Sequence, residues 1–144
     1  MVPATGALLA AVFAVLFGLH VYWAFGGRRG ASAVLPQKSS NTTETVFTPP
    51  RLLTLVVAIA LASAGAIELF ISGVIAPPDA IAAWPRRLAF VVVAAFFLRA
   101  VGEFRYVGFF KRVRGTSFSR WDDRVFSPLC LFLSAVTLAL ALRE

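Results

Sequence analysis

An arginine and a glutamate four residues apart, Arg99 and Glu103, stand within and at the end of a long apolar stretch of this chain. Ionisable residues inside a membrane-crossing segment normally face the protein interior and pair, because exposing a charge to lipid is costly. Four interpretations of Arg99 are open. They are a structural pair with Glu103, snorkelling to the headgroups, an anchor for a carboxylate or phosphate, and a contact between subunits.

Other polar and aromatic side chains fall near the same membrane level when 1.5 Å per residue is counted along the predicted spans. His20 and Trp23 are three residues apart and share one helix face, while Tyr106 lies on the face of Arg99. Ser127 and Cys130 begin the last apolar stretch. We therefore predict a polar pocket lined by His20, Trp23, Arg99, Glu103, Tyr106 and Ser127.

The residue types limit the chemistry of such a pocket. His20 is the only histidine and Cys130 the only cysteine, which excludes bis-histidine haem, multi-histidine zinc and disulfide chemistry within one subunit. We predict no metal and no cofactor, and Cys130 is interpreted as a small packing residue. His20 and Glu103 are the candidates for proton donor and acceptor. Trp23 is either an interfacial belt residue or a platform for a ligand.

Two further acidic positions have competing interpretations. Glu68 lies near the end of the second apolar stretch, at the level of Arg86 and Arg87. It is either a member of a structural ion pair or a binding or proton site on the outer side. The adjacent Asp122 and Asp123 either cap the last span or form salt bridges with the basic run at residues 111–114.

The composition defines the class of protein. The chain has 144 residues, of which 59% are hydrophobic and 15% charged, and its mean hydropathy is +0.82. These values are too apolar for a soluble domain of this length, and they predict an all-α polytopic membrane protein with one domain at residues 1–144. The net charge of +7 comes from basic residues that flank apolar spans. Nucleic acid is therefore rejected as a partner, and the lipid bilayer is expected.

Four transmembrane helices in a bundle account for the apolar stretches. The predicted spans cover residues 5–25, 52–75, 86–106 and 125–142. The loop at residues 26–49 is long enough to act as a lid. The third helix is predicted to continue to about Arg114, and residues 116–124 are predicted to be a connector at the membrane interface. Pro128 then falls in the first turn of the last helix, where proline is tolerated.

The distribution of basic residues predicts the orientation. Ten lysines and arginines lie in or beside the loops after spans 1 and 3, against three on the opposite side. Positive charge favours the cytoplasmic side, so loops 1 and 3 are predicted to be cytoplasmic and both termini to lie outside.

Three motifs resemble a family of small bacterial four-helix membrane proteins that is defined as a domain of unknown function. They are HVYWAFGG at residues 20–27, RAVGEFRYVGFFKR at 99–112 and SPLC at 127–130. The resemblance covers nearly the whole chain. It implies a multi-pass protein of the bacterial plasma membrane, and it carries no catalytic assignment.

The leading functional hypothesis is a pocket that faces the cytoplasm and binds an amphipathic or anionic small molecule or lipid. Arg99 would hold the anionic end of that molecule. The second hypothesis is an intramembrane isomerase or hydrolase that uses Glu103 and His20. A small transporter working as a homodimer, with Arg99 and Glu68 marking the path, is a third, and an accessory subunit without a ligand is a fourth.

Overall fold

The computed structural model describes residues 1–143, which are mainly helical. Its helices are α1 (Val2–Ala24), α2 (Ala31–Val34), α3 (Arg51–Ile71), α4 (Pro85–Val101), α5 (Ser117–Trp121) and α6 (Ser127–Ala141). A 3₁₀ turn at Asp79–Ile81 precedes α4, and a π-helical turn at Asp122–Phe126 joins α5 to α6. Residues 1–143 contain no β-strand, only an isolated bridge between Gln37 and Thr45. The predicted all-α class is confirmed.

Three helical segments are long and apolar enough to cross a membrane. They are Val2–Ala24, Arg51–Ile71 and the continuous segment Ser117–Ala141, of 23, 21 and 25 residues. The fourth helix, α4, has 17 residues and measures about 26 Å at 1.5 Å per residue. It is shorter than the predicted span at 86–106, and on its own it falls short of the ~30 Å hydrocarbon layer.

The chain divides into two compact units. The first unit contains Met1–Gly27, Pro50–Val93 and the end of α6 from Ala135. The second unit contains Arg28–Pro49 and Ala94–Ser134. His20, Trp23 and Glu68 therefore belong to the first unit. Arg99, Glu103, Tyr106 and Ser127 belong to the second.

In the first unit α1 packs against α3 in the antiparallel direction. Gly6 of α1 meets Ser72 at the end of α3, and Gly65 of α3 meets Phe13 of α1. A Cβ atom built on Gly6 would lie 1.9 Å from the Ser72 Oγ, so only glycine allows the backbones to approach this closely. Phe13 and Leu9 of α1 are almost completely buried in the contact.

In the second unit α4 ends earlier than the sequence predicts. It stops at Val101 and does not continue towards Arg114, because Gly102 adopts a left-handed conformation with φ of +84°. A Cβ on Gly102 would lie 1.8 Å from the Val107 carbonyl oxygen, so the loop folds tightly back on the helix end. Gly108 also has positive φ, and the predicted continuous helix is wrong because glycines tolerate this turn.

The last helical segment begins earlier than predicted. Residues 116–124 were expected to connect spans at the interface, but Ser117 already starts the helix that runs to Ala141. Pro128 therefore lies inside a continuous helical segment. Proline removes one backbone hydrogen bond, and the π-helical turn directly before it accommodates this irregularity.

Candidate functional site

The strongest polar feature of the second unit is a carboxylate with three donors. Asp122 is completely buried, and its Oδ1 accepts a hydrogen bond from Arg99 Nη2 at 2.8 Å. Its Oδ2 accepts from Lys111 Nζ at 2.9 Å and from the Gly108 backbone N–H at 2.8 Å. The Lys111 side chain is also completely buried. This arrangement compensates the buried carboxylate with two cations and one amide dipole.

Three pieces of local structure bring these groups together. Arg99 comes from the last turn of α4, and Asp122 opens the π-helical turn before α6. Gly108 and Lys111 come from the irregular loop between them. The loop reaches Asp122 because its backbone reverses at Gly102 and at Gly108.

The ion-pair network extends outward from Lys111. Its Nζ also donates to Asp123 Oδ1 and to the Gly108 carbonyl oxygen, the latter at 2.9 Å. Arg114 Nη1 in turn lies 3.2 Å from Asp123 Oδ2. We call Arg99, Lys111, Arg114, Asp122 and Asp123 the ionic cluster. Three cations against two carboxylates leave this cluster with one net positive charge.

The ionic cluster resolves two interpretations of the sequence. Asp122 and Asp123 pair with the basic run at 111–114, as one of the two alternatives held. The partner of Arg99 is Asp122, which lies 23 positions away in the chain. Sequence reasoning missed this pair. The available signal was an aspartate that opens the last apolar segment on the same predicted membrane side as Arg99.

Two buried donors beside the ionic cluster have no partner. Within residues 1–143, Arg99 Nη1 and Ser127 Oγ are fully buried and make no hydrogen bond. Ser127 follows Asp122 by five residues across the π-helical turn, which closes with a hydrogen bond from the Ser127 N–H to the Asp122 carbonyl oxygen. Ser127 therefore lies one turn along the helix from the carboxylate that holds Arg99. Buried polar groups are nearly always satisfied, so each of these two atoms lacks the partner that such a group usually has.

Glu103 and Tyr106, the other residues of the second unit in the predicted pocket, contact their own neighbours in the chain. Glu103 is exposed, and its carboxylate accepts the backbone N–H groups of Arg105, Tyr106 and Val107. Glu103 thus caps the turn that ends α4. The Tyr106 ring is half-buried, with the Arg105 guanidinium carbon 5.1 Å from its centroid.

The predicted residues of the first unit form a contact of their own. His20 Nδ1 lies 2.8 Å from the Leu16 carbonyl oxygen, which can only accept, so Nδ1 carries the proton. The His20 and Trp23 rings meet edge to face with centroids 5.3 Å apart. That His20 and Trp23 share a pocket with Arg99 stays a prediction.

The structural ion pair that was one interpretation of Glu68 is not present among residues 1–143. Glu68 is completely buried in the first unit, and its Oε1 accepts the Thr137 hydroxyl at 2.6 Å. Among residues 1–143 it makes no salt bridge, and its Oε2 has no hydrogen-bond partner.

The first loop belongs to the second unit, and α2 packs against α5 there. Gln37 is buried, with its Oε1 accepting the Phe118 N–H at 3.2 Å and its Nε2 donating to the Ser32 carbonyl oxygen at 2.9 Å. On the exposed side, the Lys38–Glu44 hydrogen bond and charge attraction raise the pKa of Lys38 and lower the pKa of Glu44. The role of this loop as a lid stays a prediction.

Residues 1–143 contain no group of three or more histidine, cysteine, aspartate or glutamate side chains that could hold a metal ion. The buried polar positions are instead arranged around hydrogen bonds and ion pairs.

These features define an all-helical protein whose three long apolar helices indicate a membrane protein. The chain belongs to the family described as "Protein of unknown function (DUF3995)", whose family model matches residues 5–137. This confirms the family type inferred from the three motifs. No curated protein and no solved structure matches the chain.

Proposed function

We propose that this protein binds the anionic end of an amphipathic small molecule or lipid beside the ionic cluster, on the cytoplasmic side of the bacterial plasma membrane. Two buried donors without partners, Arg99 Nη1 and Ser127 Oγ, carry this proposal. A carboxylate or phosphate oxygen would satisfy both donors, and the net positive charge of the ionic cluster favours an anion there.

The apolar part of such a molecule would meet exposed aromatic rings of the same unit. Phe104 and Phe110 are 55% and 63% exposed, and their ring centroids lie 6.3 Å apart. Phe104 also has a positive φ of 67°, which is rare for a residue with a side chain. A ligand with its anionic group near Arg99 and its apolar chain near these rings would be amphipathic.

The proposed topology has four crossings, with loops 1 and 3 in the cytoplasm and both termini outside. The excess of lysine and arginine in and beside those loops supports it. In this arrangement α4 is the third crossing. Because α4 is short, the turn after Val101 carries the chain on to the level of the lipid headgroups. A bundle of four helices is the architecture that follows.

The test is the identity of molecules that copurify with the protein in a mild detergent. Native mass spectrometry of the wild type should detect a bound anionic amphiphile. Ser127→Ala removes one unpartnered donor and keeps every ion pair, so it should lower occupancy without lowering the thermal midpoint. Arg99→Gln should abolish binding. Arg120→Gln is the matched control, because Arg120 is exposed and its guanidinium donates to the Gly115 carbonyl oxygen at 3.1 Å, outside the ionic cluster.

The outcome that contradicts the proposal is also defined. A wild-type protein without any bound anionic amphiphile, or equal occupancy in Ser127→Ala, Arg99→Gln and Arg120→Gln, would show that the two donors serve no ligand. The same samples address catalysis and assembly. A copurified molecule that is converted during incubation would favour the isomerase or hydrolase hypothesis. The native mass would also report whether the protein is a homodimer.

The structure offers less support for the enzymatic alternative. A general acid or base must be free to exchange its proton, and the Glu103 oxygens instead accept three backbone N–H groups. Arg99 Nη1 and Ser127 Oγ are hydrogen-bond donors, which can bind an anion without transferring a proton. Binding is therefore the function that we propose.

A further inference from the structure

The most unusual group outside the ionic cluster is the Glu68 carboxyl in the first unit. It lies on the face of α3 that packs against α1, and its exposure is 0%. A Cβ on Gly6 of α1 would lie 2.9 Å from the Glu68 carbonyl oxygen, so no space for water separates the two backbones there. The Thr137 hydroxyl of α6 contacts the carboxyl itself.

Within residues 1–143, no cation forms a salt bridge with this carboxyl. On α1, His20 lies fourteen positions beyond Gly6, about 21 Å along the helix. On α6, the contact is the neutral Thr137 hydroxyl at 2.6 Å. Arg86 and Arg143 line the same cavity as Ser72 at the end of α3, and neither forms a salt bridge with Glu68 within the described residues.

Glu68 lacks the partners that compensate the buried Asp122 carboxylate. Both carboxyls are completely buried, but Asp122 has two cations and a backbone amide on its oxygens. Glu68 has one hydroxyl, and its second oxygen is unpartnered. An isolated carboxylate in an apolar environment is far more costly than a neutral carboxylic acid. Protonation removes the charge and places an O–H on the carboxyl.

An open cavity lies beside the C-terminal end of α3 in the first unit. It has a volume of about 660 Å³ and includes Ser72, Gly73, Arg86 and Arg143 in its lining. Ser72 lines this cavity and follows Glu68 by one helical turn, and its Oγ donates to the Glu68 backbone carbonyl oxygen at 2.6 Å. Two arginines, Arg86 and Arg143, stand at its lining.

We propose that Glu68 is a proton-binding site of this protein, which exchanges its proton with water through the cavity lined by Ser72, Arg86 and Arg143. The ligand is a proton, and the bound form is the carboxylic acid hydrogen-bonded to Thr137. This inference is independent of the anion site, because every residue that carries it belongs to the first unit.

Infrared spectroscopy of the purified protein tests the proton directly. At about pH 7 the wild type should show the carbonyl stretching band of a protonated carboxylic acid, and Glu68→Gln should remove that band. Thr137→Val should shift its frequency, because the hydrogen bond to the carboxyl is lost. Glu103→Gln is the control that should leave the band unchanged. A spectrum without this band, or a band that persists in Glu68→Gln, would overturn the assignment.

The apolar reagent dicyclohexylcarbodiimide gives an independent chemical measurement. A protonated carboxyl adds its O–H across one C=N bond of the reagent, and the product rearranges to an N-acylurea that retains every atom of both. Peptide mapping should place the adduct on Glu68 and not on Asp122, and above the titration midpoint labelling should fall about tenfold per pH unit. Preferential labelling of Asp122 would contradict the proposal.

The route through the cavity has its own control pair. Ile71→Trp places a large ring in the cavity lining and should slow hydrogen–deuterium exchange of the Glu68 band several-fold. Ile59→Trp makes the same change at a position of α3 that is 64% exposed, and the exchange rate should stay at the wild-type value. Equal rates in both variants would overturn the proposed route.

Discussion

The Nζ atom of Lys111 lies 2.9 Å from the Oδ2 atom of Asp122, and both side chains are completely buried. Taking two charges out of water is costly, and the cost is offset only when further hydrogen bonds complete both groups. Here Lys111 also reaches Asp123 and the Gly108 carbonyl oxygen, while Asp122 also holds Arg99. The pair thus joins α4, the loop after it and the start of α6 into one connected network.

Breaking this pair from one side should strongly destabilise the protein. Lys111→Met leaves Asp122 with one cation fewer in a buried site, and we expect a loss of about 3–5 kcal/mol in the free energy of unfolding. Thermal or denaturant unfolding in detergent measures the change. Arg114→Gln, at the exposed edge of the ionic cluster, should cost less than about 1 kcal/mol. Equal losses in the two variants would refute the central role of the buried pair.

The turn that ends α4 should not accept a side chain at Gly102. Gly102→Ala combines a φ of +84° with a Cβ atom 1.8 Å from the Val107 carbonyl oxygen. We expect a destabilisation of more than about 2 kcal/mol, measured as a lower unfolding midpoint. Gly18→Ala is the matched control, since nothing lies within 4 Å of its added Cβ and its backbone is helical. That control should stabilise α1 by up to about 1 kcal/mol.

The Glu103 carboxylate should matter through the turn it caps. Glu103→Ala removes the acceptor for the N–H groups of Arg105, Tyr106 and Val107, and we expect a loss of about 0.5–2 kcal/mol by analogy with helix caps. Hydrogen exchange at those three amides should become faster, while the amides inside α1 stay unchanged. Exchange rates like those of the wild type would show that the cap does not persist in solution.

The close contact between α1 and α3 should depend on Gly6. Gly6→Val brings two γ-carbons into a position where even a Cβ lies 1.9 Å from the Ser72 Oγ. The helices must separate, and we expect a loss of about 1–3 kcal/mol, as for other overpacked sites. Gly18→Val serves as the control in the same helix. A larger effect at position 18 than at position 6 would contradict the close packing of α1 against α3.

The proposed topology can be measured with single cysteines. In a Cys130→Ser background, Ser40→Cys in the first loop should react with a membrane-impermeant maleimide only from the cytoplasmic side. Asp79→Cys between α3 and α4 should react only from the outside. The reverse pattern would place the ionic cluster on the opposite side from the one proposed.

The helical class and three of the apolar helices were predictable because hydropathy is a property of local sequence. The bounds of α4 were not, because the prediction followed the apolar and basic pattern through residues 102–114 and gave too little weight to the glycines. Gly102 and Gly108 take left-handed conformations that end the helix, and this shortens α4 to Val101. The last helical segment was predicted too short, because the π-helical turn lets it continue through Pro128.

The partners of the ionisable residues depended on the tertiary structure. Arg99 was identified from its type inside an apolar stretch, but the sequence could not choose between Glu103 and a distant partner. The choice of Asp122 requires the loop after Val101 to fold back, and that fold depends on backbone angles at two glycines. Likewise Glu68 was recognised as unusual, and the structure replaced an expected arginine with the Thr137 hydroxyl. Composition alone determines that this chain prefers an apolar environment, because the free energies of transfer of its residues from water to that environment add up. Which buried charge meets which partner was decided only in three dimensions, because such contacts join residues that the folded backbone brings together from distant positions.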